Sequence, residues 1–185
     1  MTRLSDIAAG YDAFIIDLWG VMHDGTALYP GAAEALASLA LKPVIFLSNA
    51  PRRASKAEAV LSKLGVKREH YLRVITSGEI AFERLKNETR YSNYYYLGPS
   101  KDEDILSDLP NYRSVGMDEA QFVLNTGYEQ DFQPHEEVVP TLQKLIARNL
   151  PLLCVNPDYE VVKQDSTQML CAGALAQEYA RLGGS

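Results

Sequence analysis

Apolar residues in this chain gather in short runs, and between the runs lie helix-length segments with a 3.6-residue period. That alternation predicts an α/β protein. Ala13–Asp17 (Ala-Phe-Ile-Ile-Asp) reads as a buried strand, since its apolar residues follow one another without a polar face. The alanine- and leucine-rich stretch 31–41 reads as a helix, and Pro43–Ser48 as a second strand. Ser55–Leu64 reads as a helix stopped by Gly65. Val74–Thr76 forms a short third strand, and Ser77 caps a helix running to about Asn87. The β-α-β-α-β-α order implies a parallel sheet with right-handed crossovers.

A second block begins near Tyr91. Tyr94–Leu97, Phe122–Asn125 and Leu152–Val155 read as strands, the first followed by a Gly98-Pro99 turn. His135–Arg148 is an amphipathic helix whose apolar face carries Val138, Val139, Leu142, Leu145 and Ile146. Gly173–Leu182 is a last helix. The three tyrosines 94–96 alternate faces and read as packing.

Composition narrows this picture. At 185 residues with 46% apolar content, the chain has enough material for a folded core. A net charge of -6 argues against nucleic acid, because a phosphate backbone calls for a basic surface. The short basic clusters Arg52-Arg53 and Lys67-Arg68 read as solvated helix ends. Cys154 and Cys171 have no metal-ligand spacing and read as buried, reduced thiols, as in a cytoplasmic protein. The N-terminal residues 1–6 show no signal-peptide core, and no stretch is apolar enough to cross a membrane.

The chemistry concentrates where strands end, since open α/β sheets bind ligands beyond their carboxyl edge. Asp17 stands there, followed by Leu18, Trp19 and Gly20. A carboxylate in that place can attack phosphorus, and the N–H groups of Leu18, Trp19 and Gly20 can cradle phosphoryl oxygens. It can also bind a hard cation such as Mg²⁺. Equally, position alone allows a turn-capping aspartate. Ser48 and Asn49 end the second strand, which places a hydroxyl beside Asp17 or merely starts a turn. Arg52 suits a phosphate or carboxylate contact, or a solvated helix start.

The set Asp17-x-x-Gly20-Val21, His23-Asp24-Gly25, Ser48-Asn49-x-Pro51, Thr76-Ser77-Gly78 and Asn156-Pro157-Asp158 resembles class IIA of the haloacid dehalogenase-like superfamily. That class holds p-nitrophenylphosphatase-like and sugar- or nucleotide-phosphate phosphatases. The resemblance implies a Rossmann-like core over residues 1–88, an inserted α/β cap over 89–170, and a return to the core over 171–185. It implies a small phosphomonoester as substrate, Mg²⁺ as cofactor and a cap-mediated homodimer. By the same resemblance Asp17 is nucleophile and Mg²⁺ ligand, and the Trp19 backbone carbonyl is a second ligand. Leu18, Gly20, Ser48 and Asn49 then hold phosphate, and Asn156, Asp158 and Arg52 face the substrate.

Two departures stand out. Trp19 occupies the position of the family's acid/base aspartate, and an indole can neither protonate a leaving group nor activate water. His23 and Asp24 are the nearby substitutes, or else simply shape the loop. Second, the lysine and acidic motif that follow the cap in the family have no counterpart. Lys163 is not assigned that role, so the chain reads as lacking the second half of the core. The alternative function is a weak or inactive relative that binds a phosphorylated ligand or a partner.

Overall fold

The computed structural model describes residues 4–39, 41–162 and 165–185. The start of the chain and Lys163, both weighed above, lie outside the described residues. Contacts divide the chain into two compact units, Met1–Ser48 with Arg52–Thr76, and Asn49–Pro51 with Ser77–Ser185.

The first unit carries α1 (Leu4–Ile7), β1 (Phe14–Asp17), α2 (Ala32–Ser38), β2 (Val44–Ser48), α3 (Ala54–Lys63) and β3 (Arg73–Thr76). Its strands form one parallel sheet in the order β1-β2-β3, as the βα alternation predicts. Alternation across the pleat splits the side chains into two faces. Phe46, Val44 and Val74 are buried against Leu36, Leu39, Leu61 and Tyr71. On the opposite face Ile15 is 73% exposed and Leu47 48% exposed. The continuous apolar run of β1 thus gives one packed face and one open face, where two packed faces are the rule for parallel sheets.

The second unit holds α4 (Ser77–Lys86), β4 (Asn93–Leu97), β5 (Arg113–Ser114), β6 (Phe122–Asn125), α5 (His135–Ala147), β7 (Leu152–Cys154), β8 (Glu160–Val162), β9 (Gln168–Leu170) and α6 (Ala172–Arg181). Four parallel strands run in the order β5-β4-β6-β7, and β8–β9 form an antiparallel hairpin. β6 is buried along its whole length because both sheet faces are covered. Phe122 and Leu124 pack with Phe82 and Leu85 of α4. Val123 packs with Leu142 and Leu145 of α5 and Leu175 of α6.

The helix 77–86, read from sequence with the first half, therefore packs in the second unit, and so does α6. Each has an apolar face whose periodicity states that it is buried, not against what. β5, β8 and β9 escape sequence reading because two or three residues hold no periodic signal. No helix among the described residues is long and apolar enough to cross a membrane. Both cysteines are free thiols and only half-buried.

Candidate active site

β1 ends at Asp17, whose Oδ1 accepts the Leu18 N–H at 2.8 Å. The chain then folds into a tight loop anchored by the buried side chains of Leu18 and Met22. The Leu18 carbonyl accepts the N–H groups of Met22 (2.8 Å) and His23 (3.1 Å), and Gly20 N–H donates to the His23 carbonyl at 2.9 Å. Gly20 sits at φ +83°, a conformation that favours glycine. These bonds bear on the expected phosphate cradle. Gly20 spends its N–H within the loop and Leu18 turns its own toward Asp17. Of the three expected donors, the Trp19 N–H alone takes no part in the loop's hydrogen bonds, and the Trp19 carbonyl likewise accepts none.

The Trp19 indole lies over the following turn: its Nε1 is 3.6 Å from where a Cβ on Gly25 would stand. His23 is buried at 7% exposure, and its Nδ1 accepts the Gly25 N–H at 2.9 Å. In the neutral ring this leaves the proton on Nε2. Burial lowers the His23 pKa, the nearby Asp24 and Asp17 charges oppose that, and Arg52 adds to it. Asp24 is exposed and its Oδ1 accepts the N–H groups of Thr26 and Ala27, both at 2.9 Å. Those backbone bonds hold its carboxyl below the usual range.

Ser48 ends β2 and is buried, in register with Thr76 of β3, whereas Asp17 is in register with Leu47. Asp17 and Ser48 therefore share the carboxyl edge of the sheet while the pleat turns them to opposite faces. Thr76, fully buried, donates from Oγ1 to the Arg52 carbonyl at 2.6 Å, fixing the start of the segment that carries the arginine. The Thr76-Ser77-Gly78 motif places Thr76 at a strand end but carries no sign of this bond.

In the second unit Asn49 Nδ2 donates to Asp158 Oδ1 at 2.8 Å, and Asp158 N–H donates to Asn156 Oδ1 at 3.0 Å. Asn49, Asn156 and Asp158 thus form one cluster. Gly173 is a member that sequence reading missed. Its N–H donates to the Asp158 carbonyl at 3.0 Å, and a Cβ there would stand 2.3 Å from the Pro157 oxygen. The signal was present: a glycine in the first turn of a helix costs stability against alanine and needs a packing reason. Cys154 Sγ donates to the Asn156 carbonyl at 3.1 Å, and burial, aided by Asp158, pushes Cys171 up to about 11.

No group of three or more His, Cys, Asp or Glu side chains that could hold a metal ion occurs among the described residues. A magnesium shell needs fewer protein ligands, since it keeps waters and takes oxygens from phosphate. The Asp17 carboxylate and the Trp19 carbonyl are oxygen donors of the kind such a shell takes.

Residues 14–110 match the family described as haloacid dehalogenase-like hydrolase. A hydrolase of that family from Brucella suis 1330 is 35% identical over 100% of this chain, covering 70% of its own length with a TM-score of 0.88. The chain belongs to the haloacid dehalogenase-like hydrolases. A possible sugar phosphatase from Cytophaga hutchinsonii shares the fold at a TM-score of 0.80 and 18% identity, over 99% of this chain and 68% of that one. A glycerol phosphate phosphatase from Mycobacterium tuberculosis, solved in complex with magnesium, matches at a TM-score of 0.68 and 18% identity, over 100% of this chain and 54% of that one. No curated protein sequence gives a match. For a haloacid dehalogenase-like hydrolase, the α/β fold with parallel sheets is the one expected from the sequence.

Proposed function

We propose that this chain carries the phosphoryl-transfer site of a class IIA phosphoric monoester hydrolase, with Asp17 as nucleophile forming an aspartyl phosphate. The observation that supports it best is the Asp17 carboxylate at the carboxyl edge of β1, followed by a loop in whose hydrogen bonds the Trp19 carbonyl takes no part. In this reading the Trp19 N–H is the phosphate contact in the Asp17 loop, which Leu18 and Gly20 shape; the Ser48 hydroxyl, at the same carboxyl edge but turned to the other face, would join it only by rotating past the strand end. Magnesium, held by Asp17 and the Trp19 carbonyl, would offset phosphoryl charge. In this reading the inserted cap spans residues 89–170 and contributes Asn156 and Asp158 as substrate contacts, and Arg52 is a substrate contact of the core. The substrate class is a small phosphorylated molecule, of the sugar-phosphate or nucleotide kind that the resemblance implies.

The test is release of inorganic phosphate from p-nitrophenyl phosphate in magnesium buffer. Asp17→Asn should lower it by at least about 10³-fold, since a carboxamide is not a nucleophile. An unchanged rate would remove Asp17 from this role.

A second reading has its own support, the indole at position 19. A site without its acid/base carboxylate can bind a phosphorylated ligand and turn it over slowly or not at all. Under that reading parent and Asp17→Asn release equally little phosphate, while the parent still binds phosphate in calorimetry.

A further inference from the structure

We propose that Asp17 takes phosphoryl groups from donors whose leaving group departs without a proton, acyl phosphates above all, and keeps the group as a long-lived aspartyl phosphate. This rests on the reading of Asp17 as nucleophile and narrows it.

Between Leu18 and Leu28 the sequence holds one carboxylate, Asp24. Asp24 is exposed at the turn, and its Oδ1 is committed to two backbone N–H groups that favour the ionised form. That makes it a poor proton donor and a weak base. The His23 ring has its Nδ1 lone pair taken by the Gly25 N–H, so what remains is an Nε2–H donor with no lone pair to accept a proton from water. The Trp19 indole offers a further N–H and no basic atom. The side chains of the loop thus include hydrogen-bond donors. They include no group suited to protonating a leaving oxygen or deprotonating an attacking water.

The two half-reactions respond differently to that lack. A sugar hydroxyl leaves phosphorus readily only as an alcohol, so it needs a proton at the moment the bond breaks. A carboxylate leaves as a stable anion. With an acyl phosphate the Asp17 oxygen bonds to phosphorus, the phosphorus–oxygen bond to the donor breaks, and its electron pair departs on the donor carboxylate. No proton moves, and one mixed anhydride replaces another. Hydrolysis of the aspartyl phosphate, by contrast, requires water to lose a proton to a base, help worth about 10²- to 10⁴-fold.

The decisive experiment treats the 185-residue chain with acetyl phosphate in magnesium buffer and records the intact mass. The parent should gain one phosphoryl group, labile to hydroxylamine, and Asp17→Asn should gain none. Trp19→Asp should release phosphate about 10²- to 10⁴-fold faster and lose the adduct. Trp19→Asn, which removes the indole without adding a base, should keep it. The parent alone also tests the idea: phosphate transfer should fall steeply from acetyl to p-nitrophenyl to glycerol phosphate. If the parent instead turns over acetyl and glycerol phosphate at similar rates without an adduct, while Asp17→Asn is dead, the inference fails and the nucleophile stands. If neither parent nor Trp19→Asp forms an adduct or releases phosphate, the nucleophile assignment fails and takes the inference with it.

Discussion

His23 shows how much one side chain's setting matters here. Its ring is buried, and burial outweighs the two carboxylates that favour its charged form. The folded pKa therefore lies below the ordinary value of 6.5. Between the two values the unfolded chain binds more protons, so stability rises with pH across that window. The contribution is fully present above about pH 6.5 and is lost as pH falls through the folded pKa. Urea unfolding at pH 7.5 and 5.5 should show this loss in the parent. It should be smaller in His23→Asn, which keeps an oxygen for the Gly25 N–H; an equal loss in both would assign it elsewhere. The cysteines follow the same logic. With Cys171 pushed up to about 11 and Cys154 also raised by burial, both should react with a disulfide reagent at pH 7.5 far more slowly than a free thiol.

Among the elements, β6 and α6 meet through buried polar contacts in the second unit. Asn125 is fully buried at the end of β6, its Nδ2 donating to the Ala172 carbonyl at 2.9 Å and its Oδ1 accepting the Gly127 N–H at 3.2 Å. Replacing it by alanine leaves two buried backbone groups without that partner. Denaturant unfolding should show a loss of about 1–3 kcal/mol for each. Gly173→Ala drives a methyl into the backbone of Pro157 and Asp158. It should cost about 1–3 kcal/mol and shift the amide resonances of residues 156–158. A neutral Gly173→Ala would mean that the turn yields freely. The long elements were legible in sequence because 3.6-residue and continuous apolar patterns report which faces are buried. α5 lies at His135–Ala147, within a residue of its sequence-based bounds. The two-residue β5 was not legible, because Arg113 and Ser114 are exposed and polar and pair through backbone atoms alone.

For the molecule as a whole, the first unit's sheet has one open face, and among the described residues its outer strands β1 and β3 each pair on one side only. β1 pairs only with β2 among the described residues, and Ile15 and Leu47 meet solvent on the face opposite the core. The Brucella relative, matched over 70% of its length, has further chain outside the match. Exposed apolar surface of this kind binds hydrophobic dyes and promotes association. The parent should therefore enhance anilinonaphthalene sulfonate fluorescence. Ile15→Thr, which keeps strand propensity, should weaken that signal without changing the circular dichroism. An unaltered signal would place the dye elsewhere.

By itself the sequence determined the α/β class, the order of the long elements, Asp17 at a strand end and the family resemblance that the comparisons bear out. These properties are local. Each is written in runs of apolar residues, in turn chemistry and in the spacing of short motifs, and a chain segment carries them wherever it packs. Only the tertiary structure decided that α4 and α6 pack in the second unit, that Gly20 spends its N–H on His23, and that the Trp19 carbonyl takes no part in the loop's hydrogen bonds. It alone joined Asn49 to Asp158, 109 residues apart, and brought Gly173 against the same turn. Such facts depend on which distant atoms meet in space, and periodicity states that a face is covered without naming its cover.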